Sequence, residues 1–325
     1  MRGEPMSYGL TRHRIGQGVL AAALIGFAAT LATANSRAPA DRAPAQMGQP
    51  APAQAAQIPT LPFEVNDRVE YWIERYQAEE RVTFELYLER RGLYESMIRR
   101  KLRARSMPEE LIYLAMIESG FAPDAVSPVA ATGVWQFMAR TARAEGLRVD
   151  TWVDERRDPV LATDAALDYL QRLHERFGSW TLAAAAYNAG PTRVARILRR
   201  SNAQDRSDER VYWDVIEALP RETRGYVPKL LAARILAESP ERFGFDVEPT
   251  PAYTYELVMV PGGTWLTQVA RSLDVPSSMV RELNPHFLRG RTPPGTAYPV
   301  RVPVGGSPLV VAYLNMPARG EPTAD

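Results

Sequence analysis

A helical stretch from Ser106 to Phe121 limits the folds open to this 325-residue chain more than any other segment. Ser106 and Glu109 have the spacing of a capping box, which predicts where the helix begins. Gly120 followed by Pro123 predicts where it ends, because glycine tolerates the left-handed turn after a helix and proline prevents its continuation. We therefore predict a single helix over residues 106–121.

One face of this predicted helix is apolar and ends in a carboxyl group. Leu111, Leu114 and Ala115 recur at helical spacing, and Glu118 occupies the next position on the same face. A buried carboxylate is costly unless it finds a partner or holds a proton near neutral pH. A protonated Glu118 would be a general acid, whereas a glutamate that rotates to the surface or pairs with an arginine would be structural. The periodicity leaves both alternatives open.

Composition excludes several functional classes. The 39 Lys and Arg residues balance 38 Asp and Glu residues, so the formal net charge is +1 and nucleic acid is not an expected partner. There is no Cys, and the chain has only three His residues, which leaves almost no ligands for zinc and no thiol nucleophile. We therefore expect no metal and no cofactor, and any catalysis would use carboxylates, hydroxyls and amides.

The N-terminal part of the chain has the composition of a targeting and linker region. Basic residues precede an apolar run, Val19–Ala34, which ends in small residues. This pattern predicts a signal peptide over residues 1–34 and export of the mature chain, with an uncleaved N-terminal anchor as the alternative. Residues 35–63 are rich in Ala, Pro and Gln, and we predict a disordered linker there.

Helical periodicity extends over residues 64–247, which we predict to form a mainly α domain. We expect one helix over Val134–Glu145 and another that starts at Asp158-Pro159. The charged cluster Asp154–Asp158 is predicted to be a salt-bridged loop that fixes the start of the second helix. Four consecutive alanines, residues 183–186, indicate a further helix that packs closely against its neighbours.

The C-terminal part changes from helical to mixed periodicity. Residues 255–260 and 297–302 have the pattern of strands, and two short helices are predicted between them. This order predicts a small β-α-α-β module over residues 252–304, followed by a C-terminal tail over residues 305–325.

Three polar side chains lie where a binding site could form. Gln136 is predicted in the first turn of its helix, and Tyr187 and Asn188 close the alanine-rich helix. Such groups either face water or, when buried, need partners, which could be each other, Glu118 or a ligand. The pattern alone favours neither alternative.

Four motifs follow one another along the predicted helical domain. They are Glu118-Ser-Gly-Phe121, Gly133-Val-Trp-Gln-Phe137, Ala186-Tyr-Asn-Ala-Gly190 and Glu222-Thr-Arg-Gly-Tyr-Val-Pro228. In this order they resemble the motifs of family 1 soluble lytic transglycosylases, the SLT domain family, of the membrane-bound lytic murein transglycosylase D type. The resemblance covers about residues 65–247.

The C-terminal module resembles a LysM module. Tyr255, Gly263-Thr264 and Leu283-Asn284 carry this second resemblance. The module departs from the usual pattern at Trp265, which replaces a Leu, and in its turn, where Gly-Gly-Thr replaces Gly-Asp-Thr. We therefore describe it as a degenerate LysM-like module.

The family resemblance implies a goose-lysozyme-like helical fold and cleavage of peptidoglycan. The bond cleaved would be the β-1,4 bond between N-acetylmuramic acid and N-acetylglucosamine. Glu118 would act as a single acid and base, and the muramoyl C6 hydroxyl would attack to form a 1,6-anhydro end. The residues that would line the cleft are Ser119, Gln136, Tyr187, Asn188 and Tyr226. Of these, Tyr226 would hydrogen-bond the acid, while Tyr187 and Asn188 would orient Glu118 and the sugar N-acetyl group.

Two alternatives to this function remain at the level of sequence. One is a muramidase that hydrolyses the same bond with Asp124 or Asp154 as second carboxylate. The other is a catalytically silent peptidoglycan-binding protein. In each case we expect the chain in the periplasm or cell envelope, with glycan strands as ligand and envelope or cell-wall machinery proteins as candidate partners.

Overall fold

The structure is a computed structural model that describes residues 59–62 and 64–315. The predicted signal peptide, most of the predicted linker and the end of the predicted C-terminal tail lie outside these residues. The described residues contain twelve α-helices and two β-strands. Nine of the helices form the helical region: α1 Asp67–Gln77, α2 Arg81–Ala104, α3 Ile112–Ser119, α4 Ala139–Ala144, α5 Pro159–Phe177, α6 Trp180–Ala189, α7 Pro191–Arg200, α8 Val211–Val215 and α9 Arg221–Glu238.

The core of the helical region is built around α6 and α9. Helix α9 packs against α1, α3 and α6, and α6 also packs against α5 and α7. Ala183 to Ala186 are all buried, and their small side chains allow these close approaches, as predicted. The N-terminus of α5 also agrees with prediction, since the Asp158 carboxylate accepts hydrogen bonds from the backbone N–H groups of Val160 and Leu161.

The start of the central helix differs from the prediction. Helix α3 begins only at Ile112, after a short 3₁₀ turn over Glu109–Leu111. The predicted capping box is wrong, because Ser106 adopts a left-handed conformation with φ 53° and the Glu109 carboxylate pairs with arginines of α2 instead. The end is as predicted: Gly120 follows the helix with φ 57°.

The predicted helix over Val134–Glu145 is also wrong in its first half. Residues 133–137 form a tight turn, in which Thr132 and Phe137 exchange backbone hydrogen bonds of 3.1 Å. Gly133 has φ 85°, and a Cβ atom there would lie 1.8 Å from the Arg156 carbonyl oxygen. Gln136 is left-handed as well, with φ 48°, so only α4 remains helical.

The C-terminal unit, residues 256–314, contains a two-stranded antiparallel sheet and three helices. Its elements are β1 Glu256–Val260, α10 Leu266–Ser272, α11 Ser277–Leu283, β2 Tyr298–Val302 and α12 Ser307–Leu314. The strands pair from Glu256 opposite Val302 to Val260 opposite Tyr298. The β-α-α-β order is as predicted. Helix α12 was missed, although Pro308 in its first turn is a recognisable helix-start signal.

The mainly α architecture with a small C-terminal β-α-α-β unit confirms the predicted fold class. The described residues group as one compact unit, in which the helical region and the C-terminal unit are in contact. The predicted limits of the catalytic domain, 64–247, and of the module, 252–304, stay predictions. No helix among the described residues is both long and apolar enough to cross a bilayer.

Candidate active site

The Glu118 carboxyl group lies in the last turn of α3, at the end of a buried apolar helix. Residues 112–117 are all buried, while the Glu118 side chain remains partly exposed. The Tyr226 hydroxyl, on α9, donates a hydrogen bond of 2.5 Å to Glu118 Oε1. The structure therefore brings together two of the predicted site residues that are 108 positions apart in the chain.

This environment changes the pKa of Glu118. Burial raises the pKa from 4.5 to about 7, because an apolar surrounding disfavours the charged form. The hydrogen bond from Tyr226 and the positive charge of Lys229 act in the opposite direction, and the negative charge of Glu222 adds to the increase. With a pKa close to neutral pH, the carboxyl group can both release and accept a proton, as an acid–base catalyst must.

Lys229 is a residue of this site that the sequence analysis missed. Its Nζ atom lies 3.5 Å from the carbonyl oxygen of Ile117 and 5.3 Å from the centre of the Trp72 ring. Burial lowers the pKa of the Lys229 ammonium group. Its spacing of three residues from Tyr226 on α9 was a usable signal, because residues at i and i+3 share a helix face.

Ser119 and Tyr187 contact a loop rather than the acid. We call residues 125–137 the cleft loop. The Ser119 hydroxyl donates to the Val134 carbonyl oxygen at 2.9 Å, and the Tyr187 hydroxyl donates to the Trp135 carbonyl oxygen at 2.7 Å. The Tyr187 hydroxyl is thus engaged by the backbone of the cleft loop, and its role in orienting Glu118 and the sugar N-acetyl group stays a prediction.

Gln136 and Asn188 are partly exposed and are held by neighbouring polar groups. Gln136 Nε2 donates to the Gly133 carbonyl oxygen at 3.0 Å, within the tight turn. Asn188 Nδ2 donates to Glu222 Oε1 at 3.1 Å, and its Oδ1 accepts from the Thr223 hydroxyl at 2.8 Å. Asn188 thus joins the end of α6 to α9 and does not hydrogen-bond Glu118.

Of the two aspartates proposed as a second carboxylate, Asp154 is already engaged by an arginine. Asp154 is buried, and its two oxygens accept hydrogen bonds of 2.9 and 2.7 Å from Arg156. A carboxylate bound in this way is an ion-pair partner and not a base for water. Asp124 is exposed, and it forms no hydrogen bond or ion pair with Glu118 among the described residues. In the same part of the chain, no cluster of three or more His, Asp or Glu residues could hold a metal ion.

The site is therefore a single carboxyl group of raised pKa that accepts a hydrogen bond from a tyrosine, with the cleft loop and the partly exposed amides of Gln136 and Asn188 around it. Comparison with known proteins gives this arrangement a family. Residues 95–209 match the model of the transglycosylase SLT domain, and residues 254–316 match the LysM-like domain of lytic transglycosylase MltD. The helical region therefore contains a segment that is similar to the transglycosylase SLT domain, and the C-terminal unit is similar to a LysM-like domain. Both predicted resemblances are confirmed.

Individual relatives carry the same family names. The chain is 36% identical over 186 residues to "Membrane-bound lytic murein transglycosylase D" of Escherichia coli K12, which covers 57% of this chain and 40% of that protein. It is 32% identical over 146 residues to "Soluble lytic murein transglycosylase" of the same organism, covering 43% of this chain and 22% of that one. The chain thus spans less than half the length of these relatives.

The crystal structure of the 70 kDa soluble lytic transglycosylase from Escherichia coli also aligns with the chain. The sequence identity is 27%, the TM-score is 0.40, and the alignment covers 53% of this chain and 28% of that one.

Proposed function

We propose that this protein is a peptidoglycan lytic transglycosylase with Glu118 as its single acid–base catalyst. It cleaves the β-1,4 bond between N-acetylmuramic acid and N-acetylglucosamine and leaves 1,6-anhydromuramoyl ends. The observation that carries this proposal is the Glu118 carboxyl group, whose pKa is raised to about 7 at the end of an apolar helix and which accepts a hydrogen bond from Tyr226. Its position in an SLT domain supports the same assignment.

The reaction needs one proton transfer in each direction. Protonated Glu118 donates its proton to the glycosidic oxygen, and the bond from that oxygen to the anomeric carbon breaks. The resulting carboxylate then takes the proton of the muramoyl C6 hydroxyl, whose oxygen attacks the anomeric carbon. This closes the 1,6-anhydro ring and returns Glu118 to its acid form. During the intermediate stage, the Tyr226 hydroxyl stabilises the carboxylate by donating to Oε1.

A single carboxyl group is sufficient for this reaction because the substrate supplies its own nucleophile. Hydrolases that retain or invert configuration ordinarily use two carboxylates, one of which activates water or attacks the sugar. An intramolecular hydroxyl instead reaches the anomeric carbon at high effective concentration. The ion pair of Asp154 with Arg156 favours a reaction with a single carboxyl group, since it removes one of the two candidates for a second carboxylate.

The other site residues are proposed to shape the glycan cleft. Ser119 and Tyr187 hold the cleft loop against α3 and α6 through the Val134 and Trp135 carbonyl oxygens. The partly exposed amides of Gln136 and Asn188 are proposed to contact sugar hydroxyl or N-acetyl groups.

The cellular setting follows from the proposed substrate. Peptidoglycan glycan strands lie outside the cytoplasmic membrane, so we propose an exported protein of the periplasm or cell envelope. Retention of the predicted signal segment as an anchor and contacts with envelope or cell-wall machinery proteins are part of the same proposal.

Product analysis tests the proposed reaction. Purified peptidoglycan sacculi are expected to yield muropeptides with 1,6-anhydromuramoyl ends, because the C6 hydroxyl and not water attacks the anomeric carbon. Mass spectrometry of the released products is the measurement. Products heavier by one water molecule would show hydrolysis and a muramidase, and an absence of any released product would favour a protein that only binds peptidoglycan.

Replacing Tyr226 with Phe is expected to shift the pH dependence of turnover to higher pH. The Tyr226 hydroxyl stabilises the Glu118 carboxylate, so its loss raises the pKa of the acid further, and the protonated form persists to higher pH. Because a hydrogen bond to a charged group contributes about 1.5–3 kcal/mol, the alkaline limb of kcat/KM should move by about one to two pH units. Tyr71→Phe, a change at an exposed tyrosine of α1, is the matched control. An unmoved alkaline limb in Tyr226→Phe would contradict this role.

A further inference from the structure

We propose that the C-terminal unit positions the cleft loop for catalysis, with Arg301 and Asp158 as a positioning pair that joins the two parts of the chain. The connection passes through residues 150–158, which we call the bridging segment. This inference rests on the proposed function, because the loop it positions borders the Glu118 site. It gives the LysM-like domain a role in catalysis that is separate from any binding of glycan by its own surface.

The first observation is that the C-terminal unit does not close its core alone. Val153, from the bridging segment, is fully buried within the hydrophobic cluster of the C-terminal unit, together with Val258 and Val300. Val153 also forms an isolated antiparallel bridge with Phe287. On either side of it, the Leu288 N–H donates to the Trp152 carbonyl oxygen and the Asp154 N–H donates to the His286 carbonyl oxygen, both at 3.0 Å.

The second observation is a buried ion pair across the same contact. Arg301, on β2, donates from Nη1 to Asp158 Oδ2 at 2.6 Å and from Nη2 to Asp158 Oδ1 at 2.9 Å. Asp158 is 1% exposed and Arg301 is 6% exposed. Paired N–H groups that meet both oxygens of a carboxylate define orientation as well as distance. The same carboxylate caps α5, so Arg301 is tied directly to the start of that helix.

The third observation connects the bridging segment to the cleft loop. Arg156 Nη1 donates to the carbonyl oxygens of Ala130 and Phe137, both at 3.0 Å, and so joins the middle of the loop to its last residue. The Asp154 carboxylate holds the guanidinium group of Arg156 in this orientation. The Arg156 carbonyl group lies against Gly133, at the place where any side chain would collide.

A parallel contact runs through α5. The Trp135 side chain, near the C-terminal end of the cleft loop, is fully buried, and its Nε1–H donates to the Thr163 hydroxyl at 3.0 Å. Thr163 lies one turn after the start of α5, where Asp158 binds Arg301. Two routes of contact therefore lead from β2 to the cleft loop.

The last step reaches the acid site. The cleft loop accepts the hydroxyl hydrogen bonds of Ser119, which follows Glu118 in α3, and of Tyr187 at the end of α6. Every link between Arg301 and the residue next to Glu118 is thus a hydrogen bond, an ion pair or a packed contact. A domain whose only role was to bind peptidoglycan would not need to share a hydrophobic core or a buried ion pair with the catalytic domain.

The test compares full-length variants by hydrogen exchange and by turnover. Arg301→Gln removes the charge, Arg301→Lys keeps the charge but loses the paired N–H geometry, and Met259→Ser changes a residue of the same unit that is 60% exposed. Hydrogen exchange is followed by mass spectrometry in peptides from the cleft loop, α6 and α9. Turnover is measured on a short soluble glycan and on sacculi, with kcat and KM determined separately for the soluble substrate.

We expect Arg301→Gln to raise exchange in the cleft loop and to lower kcat for the soluble glycan, each by about tenfold, with KM nearly unchanged. Exchange in α6 and α9 should stay at the wild-type level. Arg301→Lys should show the same changes to a smaller extent, and Met259→Ser should match the wild type. Should Arg301→Gln unfold the whole chain, the same readouts on Arg301→Lys decide the question.

A folded Arg301→Gln variant with wild-type exchange in the cleft loop and wild-type kcat would overturn the inference. So would a variant whose C-terminal unit exchanges freely while the cleft loop stays protected. Because exchange is measured without substrate, the two proposals can fail separately. A wild-type protein that forms no anhydromuramoyl ends refutes the proposed function, whereas an unresponsive cleft loop refutes the positioning role.

Discussion

Replacing Glu118 with Gln is expected to reduce the formation of anhydromuramoyl ends by about 10²- to 10⁴-fold, the usual contribution of a general acid–base group. The amide of glutamine has nearly the shape of the carboxyl group and can still accept the hydrogen bond from Tyr226. What it cannot do is donate a proton to the glycosidic oxygen or take one from the C6 hydroxyl. The loss should therefore appear in kcat, with little change in KM.

The same chemical change at an exposed glutamate is the control for this experiment. Glu282→Gln in α11 alters an exposed carboxylate of the C-terminal unit and should leave turnover of the soluble glycan unchanged. Thermal unfolding of both variants verifies that they are folded. A Glu118→Gln variant with wild-type turnover would remove this residue from the mechanism, and one that binds sacculi normally without cleaving them would support it.

Glu118→Gln is also expected to stabilise the protein at alkaline pH relative to the wild type. The pKa of Glu118 is raised from 4.5 to about 7 in the folded state, so between these values the folded wild type binds more protons than the unfolded chain. Its stability therefore decreases as the pH rises through this window. The decrease amounts to about 3 kcal/mol, since each pH unit of pKa shift corresponds to about 1.4 kcal/mol. Glutamine does not ionise and is free of this penalty.

Urea unfolding at two pH values measures this effect. The difference in the free energy of unfolding between Glu118→Gln and the wild type should become more favourable to the variant by about 3 kcal/mol from pH 4.5 to pH 8. Glu282→Gln provides the reference, with a small difference at both pH values. A constant difference between Glu118→Gln and the wild type would mean that the carboxyl group is not buried in the way described. This experiment tests the site without any substrate.

The acid and its tyrosine were both predicted from sequence. The apolar face that ends in Glu118 left a buried acid and a structural glutamate open, and the motif resemblance assigned Glu118 as the acid and Tyr226 as its hydrogen-bond partner. The sequence patterns that predict where a helix begins were wrong at two places, where tertiary contacts compete with them. Ser106 and Glu109 have the residue types and the spacing of a capping box. The Glu109 carboxylate instead forms ion pairs with Arg99 and Arg103 of α2, and the helix begins later. Gly133 and Gln136 lie in a helical pattern, yet the Arg156 backbone and the 3.1 Å bonds between Thr132 and Phe137 hold them in a turn.

The contact between the helical region and the C-terminal unit was not predicted at all. The cluster Asp154–Asp158 was interpreted as a local salt-bridged loop, and the ion pair of Asp154 with Arg156 agrees with that interpretation. The partner of Asp158 lies 143 residues further along the chain, however, and no periodicity relates the two positions. Helix α12 was likewise missed, and it completes the core of the C-terminal unit with Val310.

The amino-acid sequence by itself determined the helical class, the order of the motifs and the choice of Glu118 as the proposed acid, because these depend on residue type and on spacing along the chain. The tertiary structure alone decided the pKa of Glu118, the engagement of Tyr187 by the cleft loop and the pairing of Arg301 with Asp158. Each of these depends on desolvation or on hydrogen bonds between segments that are distant in the chain, and such quantities are properties of the folded arrangement.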